Sequence, residues 1–309
     1  MQAIRELAAL IARHAPTDGQ HETAVPGLWL VRASAPTQPL HTVHVPAVGI
    51  IAQGSKMVTL GETAYHYGPA KFLTVSVDVP MCGSVLTATP EEPYLSFRLD
   101  LDRAMLASLN LELPGATPPA RPRGSVPRGV FVSDTTAELA EVAVRLLRLL
   151  DTPQDIMVLA PLVVRELHYR LLTSEQADVI RYIACGESRV QQITRATVWI
   201  REHYNRPFSI ERLASEVGMS PSTLHEHFKT VTGLSPLQYQ KQMRLQEARR
   251  LMLTGQRDAA GAAHAVGYES SSQFSREYTR FFGLPPGRDA MRLRQSMLEG
   301  GPSVLQVVP

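Results

Sequence analysis

LASEVGMSPSTLHEHFKTVTGLSP, residues 213–236, returns in altered form as AAHAVGYESSSQFSREYTRFFGLPP, residues 262–286. Val217-Gly218 matches Val266-Gly267, Leu224 and Phe228 match Phe274 and Tyr278, and the ending TGLSP matches FGLPP. The offset is 49 residues before the turn and 50 after it, so the second turn is one residue longer. Each copy reads as helix, glycine turn, helix. Gly218 and Gly267 stand where a helix would end in a left-handed residue, a conformation glycine adopts at little cost. Ser220 and Ser270 follow as N-caps, and Pro221 suits the first turn of the next helix. A single helical hairpin with a glycine turn is a weak signal. Two copies, each with a polar second helix, point to paired helix-turn-helix units.

In the second helix of the first copy, Leu224, Phe228 and Val231 share one face and should pack on the preceding helix. Ser222, His225, Glu226 and Lys229 form the opposite stripe. In the other copy Phe274, Tyr278 and Phe281 form the core face, with Ser272, Ser275, Arg276 and Thr279 outside. Between the copies, PLQYQKQMRLQEARRLML (236–253) reads as one helix. Tyr239, Met243, Leu245, Ala248 and Leu251 are its expected packing face, with Lys241, Arg249 and Arg250 largely outward. Eighteen residues at ~1.5 Å each span roughly 27 Å.

Composition agrees with an anionic partner for this part of the chain. Residues 191–294 carry 15 Lys/Arg against 9 Asp/Glu, whereas residues 1–190 carry 16 against 19. A basic third behind a mildly acidic remainder favours nucleic acid, although a solvated helical face can carry the same excess. The two cysteines, Cys82 and Cys185, lie far apart and outside any CxxC or CxxH spacing. That argues against a disulfide scaffold or a zinc site and fits a reducing compartment. In MQAIRELAALIARHA, Ile4, Leu7, Ala8 and Ile11 recur at helical spacing between Arg5, Glu6 and Arg13, unlike the apolar run of a signal peptide. No segment approaches the ~20 apolar residues of a membrane span. The expected location is the cytoplasm, with no membrane partner.

Upstream the pattern changes. GLWLVRAS, AVGIIAQGSKMVTLG, TAYHYGPAKFLTVSVDVP and YLSFRLDLD are short β-branched or aromatic runs punctuated by glycine and proline. They predict an antiparallel sandwich or small barrel over about 25–110. LPGATPPARPRGSVPRG (113–129) is expected to be an irregular excursion. Two helices follow within about 135–172. One has Leu139, Val142, Ala143, Leu146 and Leu150 on a stripe, the other Leu159, Leu162, Val163, Leu167 and Leu171; either stripe can serve the core or a dimer seam. The expected organisation is an N-terminal effector and dimerisation domain over 1–185, a DNA-binding domain over 186–295 and a disordered tail over 296–309.

Residues 191–294 resemble the DNA-binding domain of AraC/XylS-type transcriptional regulators. The matching pieces are FSIERLASEVGMSPSTLHEHFKTVTGLSPLQYQKQMRLQEARRLML and AVGYESSSQFSREYTRFFGLPPGRDAMRLR. Residues 40–172 are similar to the N-terminal domain of a subgroup of that family. The resemblance implies an α+β chain: a cupin-like β sandwich with helices, then an all-α double helix-turn-helix domain. It implies two units entering successive major grooves of double-stranded promoter DNA, joined by one long helix. It also implies a small-molecule effector of unknown identity, RNA polymerase as a partner and a homodimer. The family's base-reading positions fall on Ser222, His225 and Glu226, and on Ser272, Ser275 and Arg276. Arg276 can hold guanine O6 and N7, and Glu226 can accept from cytosine N4. Ser220, Lys229, Ser271 and Arg280 are candidates for phosphate contacts.

One departure from the family pattern lies in the first helix of the second copy. Ala262 and Ala263 occupy positions where an isoleucine-alanine pair is usual, and Gly261 weakens the helix further. Either that unit is looser or tuned by the other domain, or Tyr268, Phe281 and Phe282 fill the space. In the β region His41, His44 and His66 suggest cupin metal ligands, but HTVH lacks the HxH spacing, so no metal or other cofactor is expected. Cys82 is either a small buried hydrophobe or, with a stabilised thiolate, a sensor. His44, His66 and Cys82 are the tentative effector-pocket residues. No Ser-His-Asp, Cys-His or paired-carboxylate arrangement stands out, so a non-enzyme is expected. The rival readings are a cupin metalloenzyme with a DNA anchor and a nonspecific architectural DNA binder.

Overall fold

The computed structural model describes residues 2–113, 128–175, 177–184 and 189–298. An amphipathic helix, α1 (Gln2–His14), leads into β1 (Gly19–Glu22) and β2 (Leu28–Ala33). Seven strands follow: β3 (Leu40–His44), β4 (Ala47–Gln53), β5 (Ser55–Leu60), β6 (Thr63–Tyr67), β7 (Lys71–Val75), β8 (Val79–Thr87) and β9 (Tyr94–Asp100). After α2 (Arg103–Glu112), β10 (Val130–Asp134) completes two sheets, ordered β1-β2-β9-β4-β7-β10 and β3-β8-β5-β6, with antiparallel pairing. The sandwich inferred from the short apolar runs is present.

Its extent differs from the expected 25–110, because strands run from Gly19 to Asp134 with a helix inserted at 103–112. Asp102 caps that helix by accepting from the Met105 N–H at 3.0 Å, a start signal hidden behind the strand-like YLSFRLDLD. The Pro/Gly-rich excursion lies for the most part outside the described residues, as do Cys185 and residues 299–309.

Alternation along the strands separates two interiors. Leu28, Leu30, Val48, Ile50, Leu95, Phe97 and Leu99 point outward from the six-stranded sheet and are buried under helices. The cover is formed by α1, α3 (Ala137–Arg148) and α4 (Pro153–Leu172), with Leu7, Ile11, Leu146, Leu167 and Leu171 fully buried. Leu159 and Leu162, on the predicted stripe of α4, are instead exposed, together with Met157 and Val158.

The other interior lies between the sheets and continues out of them. Val75, Val77, Val79 and Met81 share one apolar cluster with Ile193, Leu213, Leu224, Phe228 and Val231 of the helical domain. The junction is close enough to leave no room for a side chain at Gly129, whose N–H donates to the Val231 carbonyl at 2.8 Å. Tyr239 donates to the Asp78 carbonyl at 2.8 Å, and the buried Asp78 carboxylate pairs with Arg201. Burial raises the Asp78 pKa, with Arg201 and Arg103 opposing it.

Candidate nucleic-acid interface

After α5 (Ala177–Ala184), which packs on α2 and α4, the helical domain starts with α6 (Arg189–His203) and then repeats one design. In the first copy α7 (Ile210–Val217) ends on Gly218 at φ +68°, and α8 (Pro221–Thr232) begins behind the Ser220 cap. In the second, α10 (Ala259–Ala265) is followed by Gly267 at φ +86°, and α11 (Ser271–Phe282) begins behind Ser270. Three residues separate Val217 from Pro221 and four separate Val266 from Ser271, the one-residue difference read from the repeat. The connecting helix α9 (Pro236–Leu253) has the expected bounds, with a Ser235/Gln238 capping box. A last helix, α12 (Pro286–Leu298), packs against α9.

The two faces of each second helix separate as the spacing requires. Leu224, Phe228, Val231, Phe274 and Tyr278 are fully buried. Ser222, His225, Glu226 and Lys229 are exposed, as are Ser272 and Arg276, with Ser275 and Thr279 half-buried. Neither Glu226 nor Arg276 makes an ion pair among the described residues. Ser220 accepts from the Thr223 N–H and Ser271 opens α11, so each lies at a helix N-terminus where N–H groups are free for an anion. Lys229 and Arg280 are exposed in the last turns of α8 and α11.

The second unit is compensated rather than loose. Ala262 and Ala263 are buried against Tyr268, Phe274 and Tyr278, with Phe281 and Phe282 packed beside them. Phe281 and Phe282 also meet His41 of the sandwich, at ring-centroid distances of 4.3 and 5.5 Å. Burial and then the charge of Arg249 lower the His41 pKa to about 4, which leaves an uncharged imidazole against the two rings at neutral pH.

Arg249 corrects the sequence reading. It was expected to point outward, yet its side chain is only 7% exposed and pairs with the fully buried Asp289. The reason lies on α12, whose Asp289 accepts from Arg249 Nε at 2.8 Å and from the Tyr278 hydroxyl at 2.8 Å. A second arginine went unnoticed in the sequence. Arg244 donates to the carbonyls of Tyr204, Arg206 and Gly267 at 2.6, 2.8 and 3.0 Å. One guanidinium on α9 thus ties the turn after α6 to the turn of the second unit. The available signal was its place between Gln240 and Ala248, which are both buried on the same α9 face at steps of four.

The tentative effector residues do not converge. His44 faces the space between the sheets, whereas Cys82 and His66 lie on the opposite face of the four-stranded sheet. His66 is exposed on the edge strand β6, and His41 lies on the other edge, β3. The pleat sets His44 apart from the other three, because odd and even positions of a strand face opposite ways, and the strand order holds His41 and His66 at opposite edges. Burial raises the Cys82 pKa, so the thiol stays protonated rather than becoming the thiolate a sensor needs.

A double helix-turn-helix domain on a shared helix, packed against a β sandwich, is the class of protein that the fold defines. The comparisons make it specific: residues 24–179 match the family described as AraC-type transcriptional regulator N-terminus, and 213–292 match a helix-turn-helix domain. The chain belongs to the AraC-type transcriptional regulators. The MmsAB operon regulatory protein of Pseudomonas aeruginosa is 32% identical over 103 residues, 33% of each chain. The thermoregulatory protein LcrF of Yersinia pestis is 27% identical over 169 residues, 53% of this chain and 60% of that one. These matches therefore span a third to three fifths of the relatives' own length. An apo variant of ToxT from Vibrio cholerae shares the fold, with a TM-score of 0.55 at 11% identity over 87% of this chain and 99% of that one. Among the described residues no helix is long and apolar enough to cross a membrane.

Proposed function

We propose that this chain is a sequence-specific, non-enzymatic regulator of transcription in the cytoplasm. Its two helix-turn-helix units enter successive major grooves of promoter DNA, and its β domain senses a small molecule. The observation that carries the reading is the pair of exposed polar stripes, each opposite a fully buried apolar face on a glycine-terminated helix. Phosphate neutralisation by Lys229, Arg280 and the helix N-termini supplies affinity, and Ser222, His225, Glu226, Ser272, Ser275 and Arg276 read bases. The apolar cluster shared by the sandwich and the first unit supports coupling, since a ligand altering the sheets alters the packing of α6 to α8. The domain limits proposed are 1–185 and 186–295, with RNA polymerase as the partner of the DNA-bound protein.

Footprinting on genomic DNA tests the function, and equal affinity for random and bound duplexes at physiological salt would sink it. In the same assay Arg276→Ala is expected to lose about 1–3 kcal/mol at a single base-pair position of one half-site. Glu226→Ala should instead change which base is preferred in the other half-site. Uniformly tighter binding of that variant to all sequences would show that Glu226 only repels phosphate.

The proposed homodimer rests on α4, where Met157, Val158 and Leu162 are 87%, 68% and 61% exposed. Apolar groups clustered on one helix face are expected to be covered in solution. Leu162→Glu should sediment as a monomer at concentrations where the wild type is dimeric, and an unchanged sedimentation coefficient would place the interface elsewhere.

A further inference from the structure

Next to Arg276, α11 carries a carboxylate that the exposed stripe does not use. The Glu277 side chain is only 14% exposed and is bound by groups from α9, from the turn before α11 and from α11 itself. Lys241 of α9 donates to its Oε1 at 3.1 Å, and Gln273 donates to the same oxygen at 3.2 Å. The Tyr268 hydroxyl donates to Oε2 at 2.9 Å. Burial pushes the Glu277 pKa up, but these hydrogen bonds outweigh it and hold the carboxyl below its ordinary value, so it is charged at pH 7. Tyr268 is itself fixed within its turn. Arg244, which holds the Gly267 carbonyl, lies 5.8 Å from the Tyr268 ring.

Neighbouring positions leave a helix about 100° apart, and the neighbours Glu277 and Tyr278 are tied to different helices. Tyr278 donates to Asp289 of α12, whereas Glu277 accepts from Lys241 of α9. The apolar packing of Phe274 and Tyr278 holds α11 in place but is non-directional. Two polar anchors in different directions fix its roll about its own axis. That roll matters for Arg276. Turning a helix by about 20° carries a group about 6 Å from the axis through about 2 Å, enough to break a hydrogen bond to a base edge. In the first unit the position equivalent to Glu277 is His227, which is buried with its Nδ1 unpartnered among the described residues. There α8 is held instead by the cluster it shares with the sandwich.

We propose that Glu277 is a positioning residue for base reading: held by Lys241 and Tyr268, it sets the roll of α11 and so the direction in which Arg276 enters the major groove. The proposal rests on reading Arg276 as a base contact, and it adds the residues that aim it. Glu277 supplies specificity rather than affinity, because its charge has the sign of a phosphate and gains nothing by touching DNA.

The test measures binding of the full chain to a footprinted duplex and to duplexes altered one base pair at a time. Its readout is the affinity ratio at each position, in which a general loss of folding or binding cancels. Arg276→Ala is expected to lose about tenfold or more of that ratio at one base pair. Glu277→Ala should lose at least about fivefold at the same base pair, and the double variant no more than Arg276→Ala alone. Glu277→Gln keeps an acceptor for Lys241 or Tyr268 and should recover most of the loss. Lys241→Met frees one side of the carboxylate without touching α11, and should show the loss at that base pair even where Glu277→Ala fails to fold. An unchanged ratio in Glu277→Ala or Lys241→Met, a loss spread evenly over both half-sites, or losses that add in the double variant would each overturn the proposal. Wild-type binding that ignores sequence removes the regulator reading and this proposal with it. A selective wild type in which Arg276→Ala loses no position removes the assignment of Arg276 and what rests on it. A loss in Arg276→Ala without one in the Glu277 and Lys241 variants removes this proposal alone.

Discussion

Asp289→Ala is expected to cost about 3–5 kcal/mol of folding free energy, because it leaves a guanidinium buried without its counter-ion. Asp289 is completely buried and accepts from Arg249 Nε and Nη2 at 2.8 and 3.1 Å, from the Tyr278 hydroxyl at 2.8 Å and from Arg292 at 3.2 Å. Its removal strands Arg249, which otherwise stacks 4.2 Å over the Phe282 ring, and the hydroxyl of a fully buried tyrosine. These groups belong to the core cluster of the second unit, separate from the one that joins the first unit to the sandwich. The loss should therefore fall on α10 to α12, appearing in urea unfolding as an early step that precedes loss of the β signal. The pair Arg249→Met with Asp289→Asn removes both charges while keeping an acceptor for Tyr278, and should recover most of the stability. A single Asp289→Ala transition shifted by less than about 1 kcal/mol would mean that water reaches the arginine.

This network also marks where the sequence was hard to read. The repeat was legible because it combines a backbone constraint with a period: glycines at φ +68° and +86°, serine caps behind them, and apolar residues three and four apart. Those signals are local, and each has one physical solution. Arg249 was misjudged because an arginine on a long helix is ordinarily solvated, and its buried partner lies 40 residues away on α12. The sandwich was visible as alternating strands, but β1 and β10 are short edge strands at opposite ends of the larger sheet. Their pairing is a tertiary fact that a run of four or five residues does not announce. The histidines and Cys82 were grouped by residue type, whereas the strand register decides which of them share a face.

Gly267→Ala is the second large effect, and it strikes the relation between the two units. At φ +86° any residue with a Cβ pays for the left-handed conformation, about 1–2 kcal/mol. The added methyl would also run into the Asn205 carbonyl, well inside contact distance. That carbonyl has little freedom to move. The residues flanking it, Tyr204 and Arg206, both give their carbonyls to Gln240 and Arg244 of α9. Arg244 in turn holds the Gly267 carbonyl, so displacing either turn strains the same three bonds. Overpacking of this kind adds about 1–3 kcal/mol. Gly283 provides the internal control, at φ +78° with nothing within 4 Å of a Cβ. Gly283→Ala should show the conformational cost alone, about 1–2 kcal/mol. The excess of Gly267→Ala over Gly283→Ala in denaturant unfolding then measures the collision, and equal losses would show that the Asn205 turn yields freely. Where the strain is relieved by tilting α10 and α11 away from the first unit, affinity for a complete two-groove site should fall while that for an isolated first half-site is kept.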